Sequence, residues 1–279
     1  MDVDVAVFGG GPACCAAAIS RGAARCAASR DLTGHHPIAD AMSWASVLGG
    51  EPDVRADGLS GHSWQRESVR LFIFARHAES SANVAGVVSS DPARSVGLTA
   101  RGVTEAGQLG EQVADLDVEL AICTRLLRTQ QTLEVALRGR PVPVLIDPGF
   151  DEIRTGDFDG EPIEDYWSWR ERHTGRERFP HGESEDEALI RYANALRRLL
   201  SRTETVTLLI VHGFALRHIV AAATTALSRS KDPPSVNALP YLLDQRAIER
   251  ASAGLEASAR SELRSAAPRS RGVCRTARR

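Results

Sequence analysis

Lysine is all but missing from this chain: Lys231 is the only one among 34 basic residues, and arginine carries the rest of the positive charge. Guanidinium forks match phosphate oxygens in pairs, so the bias suits anion binding, although a skew of the coding sequence would give the same composition. Cysteine is scarce as well. Cys14, Cys15, Cys26, Cys123 and Cys274 are odd in number and form no C-x-x-C pair, which argues against a disulfide framework and a zinc site. A reducing compartment is the simplest inference, and the protein is expected to be cytoplasmic. The apolar stretch from Val3 to Ile19 is broken by Asp4 and several glycines and has no basic region before it. It therefore resembles neither a secretory signal nor a membrane span. A net charge of −2 gives no reason to expect nucleic acid or a membrane surface as the main partner.

What is present is enough apolar material for a core: 43% of 279 residues are hydrophobic. The chain divides into three zones. Residues 1–68 are rich in Ala, Gly and Ser and lose periodicity after the first twenty positions. Residues 69–228 alternate short apolar runs with helical patterns. From 229 to 279 clear strands are lost, and the last twenty residues carry seven arginines against one glutamate. That basic end reads as a solvated tail more readily than as a site for acidic partners.

The middle zone reads as α/β. Leu71 to Ala75 is a continuous apolar run, as expected for a strand covered on both faces. Thr99 is placed to cap a helix with Val103, Ala106, Gly110 and Val113 on one face. Leu120 to Cys123 reads as a second strand, followed by a helix containing Thr132, Val135 and Ala136. Ser184 to Glu187 has capping-box spacing, and the helix it opens aligns Leu189, Tyr192, Leu196 and Leu199. Thr205 to Val211 is a further strand, with a helix through Leu216, Ile219 and Val220 behind it. Strands alternating with helices imply a three-layer α/β/α architecture with a mostly parallel central sheet, flanked by poorly structured N- and C-terminal extensions.

In open α/β sheets the site lies beyond the carboxyl ends of the strands. Arg76 and His77 follow the first strand, His212 and Gly213 follow the last, and Arg128 lies just past the strand ending near Cys123. Two arginines and two imidazoles converging on one mouth form a site for a dianion such as phosphate. An unprotonated imidazole is also a nucleophile toward phosphorus. Protonating the leaving oxygen requires an acid, for which Glu152, in a glycine-punctuated loop, is the best candidate.

These residues also resemble the motifs of a known family. Arg76-His77-Ala78-Glu79-Ser80 is similar to the Arg-His-Gly signature of the histidine phosphatases, which include cofactor-dependent phosphoglycerate mutases. Leu98 to Gly102 resembles the segment that follows it, Thr124 to Thr132 the second arginine motif, and Phe150-Asp151-Glu152 with Gly156 and Gly160 the acidic loop. Gly182-Glu183-Ser184 and His212-Gly213 complete the series in the family's order, over roughly residues 70 to 220. The resemblance implies that His77 takes the phosphoryl group and passes it to water, with Glu152 as proton donor. It implies that Arg76, Arg128 and His212 hold the phosphate, with Asn83 a further candidate to touch phosphate or substrate. It implies a small phosphorylated substrate, no metal and no cofactor. Two positions depart from the pattern: Ala78 and His181 stand where glycine is common.

Several alternatives stay open at this stage. Mutases of the family carry a longer insert between acid and last histidine, whereas sixty positions separate Glu152 from His212 here, which favours a phosphatase. A non-catalytic phospholigand-binding protein would lack the nucleophile or the acid, and both are present. Val5 to Ala13 resembles the opening strand and turn of a Rossmann domain, but Cys14 replaces the third glycine and no second strand ending in an acid follows. That segment is expected to be a remnant or an extension rather than a flavin site. Arg125 is expected at the surface or the substrate rim, and Trp167 and Trp169 either in a pocket wall or in packing beneath a helix. Oligomeric state has no visible pattern.

Overall fold

The computed structural model describes residues 70–224 and 236–261, together with the backbone of Val5–Val7. Six strands form one sheet among these residues, in the order β1-β6-β2-β5-β3-β4. The strands are β1 (Val5–Val7), β2 (Leu71–Arg76), β3 (Leu120–Cys123), β4 (Val144–Ile146), β5 (Val206–Val211) and β6 (Pro240–Asp244). The pairs β2·β5, β5·β3 and β3·β4 are parallel, while β6 runs antiparallel to both β2 and β1. The helices are α1 (Ser81–Ala85), α2 (Ala100–Gln112), α3 (Leu127–Ala136), α4 (Ile163–Arg172), α5 (Glu185–Leu200), α6 (Gly213–Ala223) and α7 (Gln245–Arg260).

The alternation of β2 shows why both faces must be covered. Phe72 and Phe74 join one apolar cluster with residues of α5, α6 and α7, and Ile73 and Ala75 join the other with residues of α2 and α3. All four are fully buried. Side chains alternate along a strand, so a run without polar residues fits only a strand sandwiched between helix layers. Truncating Phe74 to alanine would cost about 3–5 kcal/mol by the usual range for a core aromatic. The α/β/α expectation holds.

Helix starts follow their capping chemistry. Thr99 accepts a hydrogen bond from the Gly102 amide at 3.0 Å and opens α2. Ser184 and Glu187 exchange side-chain-to-backbone bonds at 3.1 and 2.9 Å and open α5, whose Leu189, Tyr192, Leu196 and Leu199 are all buried. Of the face expected for α2, Ala106 and Val113 are buried and Gly110 lies close against the Ala136 backbone of α3, whereas Val103 stays 43% exposed and Gly102 and Leu109 are buried in addition.

The expectation that the chain is largely irregular beyond 228 is corrected over 240–260. There β6 slots between β1 and β2, and Asp244 caps α7 by accepting from the Ala247 amide at 2.7 Å. The apolar face of α7 (Ala247, Ile248, Ala251, Leu255) packs into the same cluster as α5 and α6. Short strand length and alanine-rich composition concealed both elements. The strand expected at the chain start exists over Val5–Val7, but as an antiparallel edge of this sheet, unlike the parallel opening strand of a dinucleotide domain. The glycine turn after it and the arginine-rich tail lie outside the described residues. Among the described residues no helix is long and apolar enough to cross a membrane.

Candidate active site

β2 and β5 are parallel neighbours with Arg76 opposite Val211, so the residues that follow, His77 and His212, leave the sheet side by side. Their rings lie 5.4 Å apart, centre to centre, and both are buried. The His77 amide donates to the Val211 carbonyl at 2.9 Å, fixing the height of the loop. The Ala78 amide donates to Thr132 Oγ1 at 3.0 Å, which ties that loop to α3. The Ala78 methyl packs into the apolar cluster beneath, so it does not crowd the loop where glycine is common.

The ring of His77 is oriented by its own backbone neighbour. Nδ1 lies 2.8 Å from the Ala78 carbonyl, an acceptor only, so Nδ1 carries the proton and Nε2 carries the lone pair. Arg128 Nε donates to that lone pair at 3.0 Å. The same guanidinium donates to Ser89 Oγ at 3.1 Å and Ser89 O at 2.9 Å, and its Nη2 lies 3.2 Å from His212 Nδ1. An arginine only donates, so His212 Nδ1 accepts and its Nε2–H points at Thr124 Oγ1, 2.8 Å away. Thr124 continues to Thr129 Oγ1 at 2.9 Å, and Thr129 donates to the Leu126 carbonyl at 2.8 Å. One directed chain of hydroxyls thus sets the tautomer of His212.

Burial, then the Arg128 charge, hold both imidazoles well below their ordinary pKa, so both are neutral at neutral pH. Burial also lowers Arg128 to about 10, partly offset by Glu152, which leaves the guanidinium cationic. Arg76 is lowered for the same reason and is again opposed by Glu152. His212 is the N-cap of α6, and Gly213 and Phe214 of its first turn line the cavity. Exposed amides at a helix start favour an anion there.

Glu152 lines the same cavity as Arg76, His77 and Arg128. Its loop is held from behind. Arg191 on α5 donates to the carbonyls of Gly149, Asp151 and Glu152 at 3.1, 2.9 and 3.3 Å, and also to the buried carboxylate of Glu183. Tyr192 adds a hydroxyl bond to the Asp151 carbonyl at 2.9 Å. Glu183 Oε1 accepts from the Arg154 amide at 3.0 Å, closing the loop from the other end. Gly156 follows at φ +57°, where a β-carbon would lie 1.9 Å from the Pro180 carbonyl, so glycine is required. His181 adopts φ +56°, which explains why glycine is common at this position.

Asn83 lines the cavity, but its Oδ1 accepts from both the Ser80 amide and hydroxyl at 3.0 Å, so the oxygen serves the start of α1. Arg125 is half-exposed and pairs with Asp151 at 2.6 Å, away from the histidines. The two tryptophans divide: Trp167 lines the cavity, whereas Trp169 is buried against Phe158, Phe179 and His173. Sequence reasoning missed Ser89, Thr124, Arg191 and Arg217 as parts of the site. Arg217 was readable in hindsight, since it sits four residues past Gly213, one helical turn on.

A neutral histidine whose lone pair faces Arg128, beside a second histidine at a helix start and an arginine at a strand end, makes a site suited to an anion such as phosphate. The family model of the histidine phosphatase superfamily (branch 1) matches residues 72–251, and the chain belongs to that superfamily. The match runs through β6 and into α7, in keeping with their place in the sheet and core. The chain is 33% identical over 156 residues to the probable phosphoglycerate mutase GpmB of Erwinia tasmaniensis, covering 52% of this chain and 71% of that protein. It is 32% identical over 109 residues to the adenosylcobalamin/alpha-ribazole phosphatase of Escherichia coli, covering 36% of this chain and about half, 52%, of that enzyme. Among solved structures, YhfR of Bacillus stearothermophilus shares the fold with a TM-score of 0.55 and 22% identity, over 62% of this chain and 90% of that one.

Proposed function

We propose that the protein is a phosphomonoesterase that hydrolyses a small phosphorylated metabolite through a phosphohistidine on His77. The observation that carries this reading is the orientation of that ring: Nδ1–H is tied to the Ala78 carbonyl, and Nε2 is aimed at the arginine that would hold the phosphate. In the first step a phosphate monoester displaces Arg128 Nε from Nε2, and the guanidinium takes up phosphate oxygens. The Nε2 lone pair forms the P–N bond as the P–O bond to the alcohol breaks, and Glu152 delivers a proton to the departing oxygen. In the second step the Glu152 carboxylate takes a proton from water, whose oxygen attacks phosphorus. The P–N bond breaks, its electron pair returns to Nε2, and inorganic phosphate leaves. Arg76, Arg128, His212 and the first amides of α6 stabilise the charge on the equatorial oxygens in both steps.

This sequence of steps uses no metal and no cofactor, and the cysteine pattern supports a cytoplasmic setting. The decisive test is hydrolysis of p-nitrophenyl phosphate in EDTA by the wild type and by His77→Ala. Activity that disappears in the variant is the expected result; equal rates in both would refute the assignment of the nucleophile. The likeness to GpmB favours a second reading, a phosphotransferase that returns the phosphoryl group to its substrate. Activity that depends on a bisphosphate primer would select it.

A further inference from the structure

Besides His77 and the arginines, the cavity has lining of a different character. Ile163, Tyr166 and Trp167 of α4 line it, joined by Val87 and by Phe214 of α6. Trp167 keeps 39% of its surface exposed, although its neighbours fix it in place. Its ring meets Tyr166 edge-on at 4.9 Å, and the Arg170 guanidinium sits 5.3 Å above it. Arg170 is in turn paired with Glu185. Tyr166 is stacked on Phe179 at 5.5 Å, so the aromatic wall is continuous with the core. An indole that is held and yet left wet is preorganised for a ligand.

This wall is built onto the phosphate grip. The Ile163 amide donates to the Gly86 carbonyl at 2.9 Å, and the Val88 amide donates to the Glu161 carbonyl at 2.9 Å. The next residue, Ser89, is the one that holds Arg128. A body attached to a phosphoryl group on His77 would therefore meet the wall at a fixed distance. The cavity measures about 190 Å³, and a void of roughly 150 Å³ accepts benzene, so a phosphoryl group and part of a ring fill it. The remainder of the body lies over the open rim at Trp167. Beyond Arg76 and Arg128, Arg217 is the one cation lining the cavity among the described residues. Planar guanidinium groups stack on aromatic faces, so this cation also suits a flat body.

We infer that the α4 wall, with Trp167 at its rim, selects phosphate monoesters whose organic part is a flat, apolar ring, in preference to small polar monoesters. The inference rests on the phosphohistidine reading, and its test separates the two. Benzyl phosphate and glycerol 3-phosphate both release an alcohol, so comparing them removes most of the leaving-group effect. The wild type is expected to favour benzyl phosphate in kcat/KM by roughly tenfold or more, the scale expected for burying one ring. Trp167→Ala should bring that ratio close to one, mainly through KM, and Trp167→Phe should keep most of it. A wild-type ratio near one, or a ratio that Trp167→Ala leaves unmoved, would overturn the inference. If neither ester turns over, the phosphohistidine reading fails and the wall is tested by binding alone. Calorimetry with benzylphosphonate and methylphosphonate should then still show the aryl ligand binding tighter, and equal affinities would overturn the inference.

Discussion

Replacing Arg191 by methionine should damage this enzyme twice, and the two kinds of damage can be told apart. The side chain does not line the cavity, yet its guanidinium donates to the carbonyls of Gly149, Asp151 and Glu152 and to the carboxylate of Glu183. Glu183 is 2% exposed, so losing its partner strands a carboxylate in the interior. Breaking a buried pair from one side costs about 3–5 kcal/mol. The lower end applies, because Arg154 still reaches Glu183 at 3.4 Å. A urea titration should therefore show a stability loss of about 3 kcal/mol, and Glu183→Gln added to Arg191→Met should recover part of it. Activity suffers by another route. With its backbone unsupported, the loop shifts Glu152, and a displacement of about 1 Å at a reacting group costs on the order of 100-fold. That loss should fall on substrates with poor leaving groups, which need the proton, and be much smaller with p-nitrophenyl phosphate, whose phenolate departs unaided. Equal losses on both substrate types would refute the positioning role and leave Arg191 as a structural residue only.

Three further outcomes are expected. Thr124→Val removes the acceptor of the His212 Nε2–H, so kcat should fall about tenfold at a stability cost of about 1–3 kcal/mol, with Thr124→Ser restoring most of both; unchanged kinetics would exclude the hydroxyl chain from the mechanism. His77 and His212 have folded pKa values well below the ordinary 6.5, so the unfolded chain binds protons first as pH falls. Their contribution is fully present above about pH 6.5 and is lost as pH drops from there toward the folded values, and a urea midpoint that falls less steeply in His212→Gln than in the wild type would show it. In Gly102→Ala a β-carbon would lie 2.0 Å from the Glu79 carbonyl, so α2 or the loop after His77 must move, at about 1–3 kcal/mol in a thermal melt.

The parts of this fold that were legible in the sequence are those where one residue carries one physical instruction. Thr99 and Ser184 announce helix starts because a short hydroxyl there satisfies an otherwise orphan amide. Leu71 to Ala75 announces a strand between two helix layers because no polar residue interrupts it. Of the six site residues, Arg76, His77, Arg128 and His212 were named because they follow strand ends, Glu152 as an acid in a glycine-punctuated loop and Asn83 through the family resemblance; the fold brings all but His212 onto the lining of one cavity, with His212 bonded to Arg128. What stayed hidden depends on tertiary partners. Ser89 matters only because the chain folds it over Arg128, and Arg191 only because α5 passes behind the acidic loop. β4 was invisible, since three exposed residues at a sheet edge leave little pattern. β6 was missed because it is only five residues long, and α7 because an alanine-rich face looks weak until it is seen packed.

The neighbours of β2 have a consequence for how the molecule comes into being. The strand that carries His77 lies between β5 and β6, both of which come from the last third of the sequence. Its hydrogen bonds on either edge therefore close loops of more than a hundred residues, and such non-local pairing is entropically late and slow. On a ribosome, β2 would emerge long before β5 and β6 could pair with it, and would wait as an apolar, unpaired segment. The phosphate mouth cannot assemble piecemeal; it is finished only when β5 and β6 dock. Recovery of turnover after dilution from denaturant should accordingly trail the return of helical signal, making catalysis the reporter of the final step in folding.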